Sequence, residues 1–271
     1  MCQENNVNLL EIDKLTCAYG EKTVLRDLSL AIPGGQLVGL LGANGSGKTT
    51  LLKCIGNAVP ASGRIVFNDG DSKTVLRSLS QREIARRISY IPQVSGITID
   101  LSCREVVLMG LNPVLGLFER PDKKMLSRAE SILSSLGLGD RIDMNYQLLS
   151  QGQKQLCLFA RTLISDAALL LLDEPESALD FGNRYTLVRL IRNYIGNSRS
   201  ALLSLHDPQI ALNYCDTVRV LHNGRCSAVF APGETPEKEM EAILSEIYGP
   251  VCIRACYNDN NRKQFVLLAV D

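Results

Sequence analysis

The 271-residue chain has no surplus of either charge: Lys plus Arg number 29, and Asp plus Glu number 29. Binding to nucleic acid rests on neutralising phosphates with a basic excess, so no partnership with DNA or RNA is expected. Long apolar runs are also missing. A bilayer span needs about 20 such residues, and the longest strongly apolar run, Ala167 to Leu172, is far shorter. The polar stretch Met1 to Asn8 lacks the basic-then-apolar pattern of a secretory signal, so the expectation is a chain that stays in the cytoplasm. There is no CxxC pair among the nine cysteines. Cys54, Cys157 and Cys215 have apolar neighbours, and the set reads as reduced, largely buried thiols. Cys252 and Cys256 share one face of a candidate strand but have no third ligand for a metal site. Histidine is scarce, with only His206 and His222. No motif surrounds His222, which reads as structural. No internal repeat is evident, so the chain is one unit and not a tandem pair.

What is present suits one large α/β domain with a small appendage. Hydrophobic residues make up 45% of the chain, enough for a sizeable core. Leu9 to Tyr19 and Val24 to Ile32 read as strands. Pro33-Gly34-Gly35 is a turn. Gln36 to Leu41 is a short apolar strand, Gly42 to Gly47 a glycine-rich loop, and Lys48 to Ile55 a helix. Arg64 to Phe67 and Ile88 to Ile91 are strand candidates. From about Val94 to Leu149 the character turns helical, with Cys103 to Met109 and Lys123 to Leu136 separated by a loop from Asn112 to Pro121. The alternation then resumes: helix Gly152 to Ile164, strand Ala168 to Leu172, helix Phe181 to Ile195, strand Ala201 to Ser204. Leu169 to Leu172 are apolar without alternation, as in a parallel strand buried on both faces. Thr235-Pro236-Glu237 is a helix start with Thr235 as cap, and that helix ends near Gly249. Val251 to Tyr257 and Gln264 to Val270 read as a final strand pair.

Two motifs carry chemistry. Gly42-Ala43-Asn44-Gly45-Ser46-Gly47-Lys48-Thr49 fits G-x-x-x-x-G-K-[ST] between a strand and a helix. Glycines let backbone N–H groups surround phosphate oxygens, and the helix that follows aims its positive end at the same oxygens. Lys48 supplies a point charge to the β- and γ-phosphates, and Thr49 offers a hydroxyl to Mg²⁺. Leu169 to Leu172 then carries Asp173-Glu174 out at the end of a buried strand, where open α/β sheets bind ligands. Asp173 suits Mg²⁺ through its water shell, and Glu174 suits polarisation of the attacking water. Together they predict a P-loop NTPase.

The remaining motifs narrow the family. Leu149-Ser150-Gln151-Gly152-Gln153 precedes a helix shortly before the Asp173 strand and resembles the signature of ATP-binding-cassette (ABC) proteins, usually LSGGQ. Gln93 after Ile91-Pro92 resembles the Q-loop, Ser177-Ala178-Leu179-Asp180 the D-loop, and His206 the switch histidine. Tyr19 stands where the family stacks adenine on an aromatic ring. The order of these motifs, from about Leu9 onward, identifies the chain as similar to ABC transporter ATP-binding subunits. Arg104-Glu105-Val106-Val107 leading to Asn112-Pro113-Val114-Leu115-Gly116-Leu117-Phe118, His206-Asp207-Pro208, and Glu246-Ile247-Tyr248-Gly249 resemble the importer ATPases for iron chelates, haem and vitamin B12. Gln151 departs from the usual glycine.

That resemblance implies an ABC ATPase core over residues 1–232, with a mixed sheet flanked by helices, an antiparallel β subdomain and a helical insert at about 94–149. A small helix-plus-strand-pair extension would fill 233–271. It implies ATP held by Gly42 to Thr50, with Thr50 included, and by Tyr19. Mg²⁺ would be held by Thr49, Gln93 and Asp173, and catalysis carried by Glu174, His206 and Gln93. The site would be completed in trans by Ser150, Gln151, Gly152 and Gln153 of a second cassette, expected to be a copy of this chain, with Asp180 at the contact. Further implied partners are a polytopic membrane permease, met through the helical insert, whose apolar, poorly charged loop Leu111 to Phe118 is expected near its surface, and indirectly a substrate-binding protein. Other importers, exporters, and soluble ABC ATPases of DNA or ribosomes are the alternatives at this point.

Overall fold

A computed structural model describes residues 7–70, 72–93, 97–116, 118–177, 179–196, 199–257, 261 and 263–270. The first strands are β1 (Asn8–Tyr19), β2 (Lys22–Pro33) and β3 (Leu37–Leu41). Helix α1 (Lys48–Ile55), β4 (Ser62–Asn68), β5 (Lys73–Val75), α2 (Gln81–Arg87) and β6 (Ile88–Ile91) follow. The helical stretch holds α3 (Cys103–Leu108), α4 (Lys123–Ser135) and α5 (Gln151–Ser165). Then come β7 (Leu169–Asp173), α6 (Phe181–Ile195), β8 (Ser200–Ser204), α7 (Pro208–Tyr214), β9 (Thr217–His222) and β10 (Arg225–Phe230). The chain closes with α8 (Glu237–Tyr248), β11 (Val251–Tyr257) and β12 (Lys263–Ala269).

The central sheet runs β10-β9-β3-β8-β7-β6 and is parallel except for the β9/β10 edge. Every residue of β3, β7 and β8 is buried, because helices cover one face and the other packs toward a second sheet. Continuous apolar strands such as Leu169 to Leu172 are the sequence consequence. Each buried leucine contributes roughly 1.5–3 kcal/mol relative to exposure. The second sheet is antiparallel, ordered β2-β1-β4-β5. Two apolar clusters result: one under α1 and the antiparallel sheet, and one joining the main sheet to α3–α8.

The helices α3, α4 and α5 form the stretch expected as an insert. Ser102 caps α3 through a capping box with Glu105, and Asp122 caps α4. A Cβ on Gly110 would sit 2.1 Å from the Arg161 carbonyl oxygen, so only glycine permits this crossing of the α3 end on α5. Val94, where the insert was expected to start, and Leu117 in its loop lie outside the described residues.

Several expectations need correction. Leu111 and Leu115 were read as part of an apolar surface loop, but both are buried. The loop is pulled onto the body because Arg82 donates to the Pro113 and Leu115 carbonyls and Arg86 to that of Pro113. Thr235 does not cap α8. The helix starts one residue later than expected, with Pro236 in the N-cap position and no side-chain cap bond. The extended ψ of 144° at Pro236 keeps it outside the helix. Elements β5, α2, α7, β9 and β10 carry weaker apolar patterns and were not read. The final strand pair forms as expected, as the β11/β12 hairpin. Asn213 of α7 mimics a strand edge toward it, donating to the Phe265 carbonyl at 2.9 Å and accepting the Phe265 N–H at 2.8 Å.

Candidate active site

The parallel strands β3, β6, β7 and β8 deliver the loops after them to one edge of the sheet, the edge where open α/β sheets bind ligands. There a cleft of about 630 Å³ is lined by Ala43, Asn44, Gly45, Ser46, Gly47, Lys48, Thr49, Thr50 and Glu174. The glycine loop is built for close approach. A Cβ at Gly42 would lie 2.4 Å from the Leu221 carbonyl oxygen and 2.6 Å from Ser46 Oγ. Gly47 has φ 107° and caps α1 without any side chain, so the first amides of α1 face the loop unobstructed.

Lys48 is only 5% exposed. Its Nζ donates to the Gly42 carbonyl at 2.8 Å and the Ala43 carbonyl at 3.4 Å. Burial holds its pKa below the ordinary lysine value, opposed by the carboxylates of Glu174, Asp173 and Glu176. Ser46 Oγ is sealed from water with no protein partner, a donor suited to a phosphate oxygen.

Thr49 Oγ1 donates to Asp173 Oδ1 at 3.1 Å, which brings the expected cation-binding hydroxyl and carboxylate together. Ser204 Oγ donates to the same oxygen at 2.8 Å, and Tyr90 Oη donates to Oδ2 at 3.3 Å. Burial and the neighbouring Asp173 push the Tyr90 phenol up, so it remains a donor. An all-oxygen pair of this kind fits Mg²⁺, which takes few protein ligands and completes its shell with water and phosphate. Gln93 was expected at the cation, but its amide is turned to Glu174.

Glu174 occupies the left-handed region with φ 50°, uncommon for a residue with a Cβ. Such a backbone costs on the order of 1–2 kcal/mol and persists only where its surroundings enforce it. Here its N–H is fixed by Ser204 Oγ at 2.9 Å. The turn brings the Glu174 carboxylate to two donors: His206 Nε2 lies 2.7 Å and Gln93 Nε2 2.5 Å from Oε2. The three residues assigned to catalysis from sequence therefore meet at one oxygen.

Other expected residues stand apart. Tyr19 ends β1, about half exposed, and is not among the residues lining the cleft. Ser150 caps α5: its Oγ accepts the Gln153 N–H at 3.3 Å, while Gln153 Oε1 accepts the Ser150 N–H at 3.1 Å. Gln151 is the first residue of α5, exposed and without a positive φ, so its side chain meets no backbone strain. A Cβ on Gly152 would touch Leu179 at 3.3 Å. None of these four residues lines the cleft. Asp180 caps α6, accepting the Asn183 N–H at 2.9 Å.

The structure also recruits residues that sequence reasoning passed over. His222, read as structural, lines the cleft with Asn223 and Gly224, because β9 runs parallel to β3 and ends at the same edge. Lys22, Thr23, Val24 and Arg26 of β2 close another side. The signal for His222 was faint: an alternating Val218, Val220 strand ending in an Asn-Gly turn. Ser204 was signalled by its place, a polar residue ending an apolar strand beside Asp173. Glu176, 2% exposed, accepts the His206 N–H at 3.0 Å on Oε1. Burial raises its pKa above the usual carboxylate range.

Comparison with known proteins agrees with this arrangement. The family model "ABC transporter" matches residues 25–177. A "probable iron chelatin transport ATP-binding protein" of Helicobacter pylori is 34% identical over 96% of this chain and 100% of its own length. The hemin import ATP-binding protein HmuV of Pseudomonas putida is 34% identical over 89% of this chain and 92% of its own. Among solved structures, an inward-facing transporter of metal-chelate type superposes with a TM-score of 0.80 at 22% identity, covering 97% of this chain and 98% of that one. The chain belongs to the ATP-binding subunits of ABC transporters.

Proposed function

We propose that this subunit hydrolyses ATP with Glu174 as general base and drives a membrane permease that imports a metal chelate, iron chelate or haem foremost. The observation that carries the catalytic part is the meeting of His206 and Gln93 on one oxygen of Glu174, beside the phosphate loop. A carboxylate so held is oriented to take a proton from water. Lys48, Ser46 and the amides at the start of α1 bind the phosphates, and Thr49 and Asp173 hold Mg²⁺. When bound, the cation neutralises charge that develops on the phosphoryl oxygens. His206 and Gln93 keep Glu174 from rotating away. Tyr19 offers an exposed ring for adenine stacking.

The cleft is open, and the α5 start lies outside it. Two copies facing head to tail would bring Ser150, Gln151, Gly152 and Gln153 of one to the phosphates of the other, with Asp180 nearby. Because Gln151 is helical, Gln151→Gly is expected to change steady-state ATPase of the assembled transporter by less than threefold. A rise of tenfold or more would show that Gln151 impairs the composite site and would favour pairing with a different cassette.

No helix among the described residues is long and apolar enough to cross a membrane. As an ABC ATP-binding subunit, it would work on the cytoplasmic face, bound to a permease through the helical region. Phe118 is 94% exposed and Val114 is also exposed, on a loop anchored by Arg82 and Arg86. An exposed apolar pair on a fixed loop marks an interface. Phe118→Asp is expected to leave nucleotide binding of the isolated subunit intact and to abolish copurification with the permease or uncouple ATPase from transport. Normal assembly and transport would place docking elsewhere.

The substrate class is tested by ATP-dependent uptake into vesicles holding the permease, this subunit and a substrate-binding protein. Iron chelate or haem is the expected cargo. A second reading, free divalent metal, is favoured by relatives named for zinc in Treponema pallidum and manganese in Bacillus subtilis, at 33% and 36% identity. Uptake of zinc or manganese alone would select it.

A further inference from the structure

Glu174 leaves β7 with a left-handed backbone, φ 50°, and a residue with a Cβ keeps that conformation only where its surroundings enforce it. The enforcing contacts come from one residue. Asp173 and Ser204 are register partners at the ends of the parallel strands β7 and β8. The Glu174 N–H reaches the Ser204 carbonyl at 3.2 Å and the Ser204 hydroxyl at a shorter 2.9 Å. The same hydroxyl donates to Asp173 Oδ1 at 2.8 Å. A hydroxyl has one proton to give, and an amide N–H can only donate. The polarity is therefore fixed: Ser204 gives its proton to Asp173 and turns a lone pair to Glu174.

A buried serine has simpler ways to satisfy its hydroxyl. Ser200 starts the same strand, is also fully buried, and donates to the Pro33 carbonyl. Ser204 instead joins the two acidic residues of the site. Three hydroxyls donate to Asp173, those of Thr49, Tyr90 and Ser204. Among the described residues, Ser204 alone of the three is also bonded to Glu174.

We infer that Ser204 is a positioning residue for ATP hydrolysis: its hydroxyl holds the Glu174 backbone in the turn that aims the carboxylate at His206 and Gln93. The inference rests on the proposed role of Glu174 as base. The lever is short. His206 lies two residues beyond Ser204, and its Nε2 meets Glu174 Oε2 at 2.7 Å, so Ser204 ties together the two strand ends that carry this pair. Without the hydroxyl, the Glu174 N–H keeps only the longer bond to the Ser204 carbonyl. Asp173 keeps Thr49 and Tyr90 as donors, and the phosphate-binding amides are untouched. The loss therefore falls on kcat and not on KM for ATP.

The test uses the assembled transporter with Ser204→Ala, Ser204→Thr, Glu174→Gln and the Ser204→Ala, Glu174→Gln pair, reading kcat and KM. The affinity of each isolated subunit for a fluorescent ATP analogue in Mg²⁺ checks that the phosphate site is folded. Ser204→Ala is expected to lower kcat about five- to tenfold, with KM and analogue affinity within about twofold, as for one lost hydrogen bond. Ser204→Thr keeps the hydroxyl on a residue that strands favour and is expected to hold kcat within about twofold of wild type. In single-turnover hydrolysis, Ser204→Ala should add no further loss to Glu174→Gln, because its effect runs through the carboxylate. Wild-type kcat in Ser204→Ala, equal losses in the alanine and threonine variants, or an undiminished loss in the Glu174→Gln background overturns the inference. A Glu174→Gln protein that hydrolyses ATP at the wild-type rate would instead overturn the base assignment beneath it, so the two failures are told apart.

Discussion

Glu174→Gln is expected to abolish steady-state ATP hydrolysis, by about 10²-fold or more, while ATP still binds. The substitution keeps side-chain size and the left-handed backbone at φ 50°. It removes the carboxylate's capacity to take a proton. The local pattern can survive, because both neighbours donate to a single oxygen, His206 Nε2 at 2.7 Å and Gln93 Nε2 at 2.5 Å, and a glutamine keeps one such oxygen. A glutamine can accept at its one oxygen, but its NH₂ group cannot accept at all. Because phosphate binding rests on Lys48 and the loop amides, affinity for ATP should stay within a few-fold. In the proposed head-to-tail pair, ATP would then hold two subunits together, because hydrolysis is blocked. The measurements are phosphate release by the assembled transporter and the elution volume of the purified subunit with and without ATP. Hydrolysis near the wild-type rate would falsify the assignment of Glu174 as base.

Why this carboxylate was legible from sequence, and the buried residues packed around the site were not, has a physical reason. Asp173 and Glu174 end an unbroken apolar run, and a buried parallel strand has one polar exit, at its C-terminal end. The phosphate loop is legible for a similar reason: close backbone approach to an anion requires glycine, and the clash distances at Gly42 show the demand directly. Gln93 and His206 were found through motif order, and geometry explains the order, since each ends a segment leaving the same sheet edge. Glu176, Ser204, Tyr90 and His222 act through contacts between strands far apart in sequence. Nothing in the spacing of a single strand encodes which strand lies beside it. Parallel neighbours such as β3 and β9 are separated by most of the chain. The same limit explains Leu111 and Leu115. Their apolar loop looked exposed because the arginines that draw it inward lie on α2, which was itself not read. The one cap read from sequence, Thr235, is not a cap, whereas Ser150 and Gln153, read only as the signature motif, form the capping box of α5.

Lys48→Ala is expected to weaken ATP binding by at least about tenfold, acting before hydrolysis. The charge-assisted hydrogen bonds of a buried cation to phosphate are worth roughly 1.5–3 kcal/mol, and each 1.4 kcal/mol is a factor of ten. The geometry supports the upper part of that range. Lys48 is 5% exposed, and water cannot readily replace the lost ammonium. Its present acceptors, the Gly42 and Ala43 carbonyls, would also lose their donor. Burial already disfavours the charge on Lys48, and the acidic trio Asp173, Glu174 and Glu176 sustains it. Removing the lysine thus leaves Glu174 lining the cleft with one cation fewer. Lys48→Arg separates charge from shape. The guanidinium restores the charge but is larger and planar, so binding should recover only in part. Titration with a fluorescent ATP analogue reads the affinity directly. Thermal denaturation gives an independent check, because a ligand at 100 times its Kd stabilises by about 2.7 kcal/mol and a tenfold weaker one by correspondingly less. The wild-type subunit should therefore melt higher with ATP, and the Lys48→Ala subunit should show a smaller rise at the same ATP concentration. Equal affinity in both proteins would mean that the loop from Gly42 to Thr49 does not hold the phosphates.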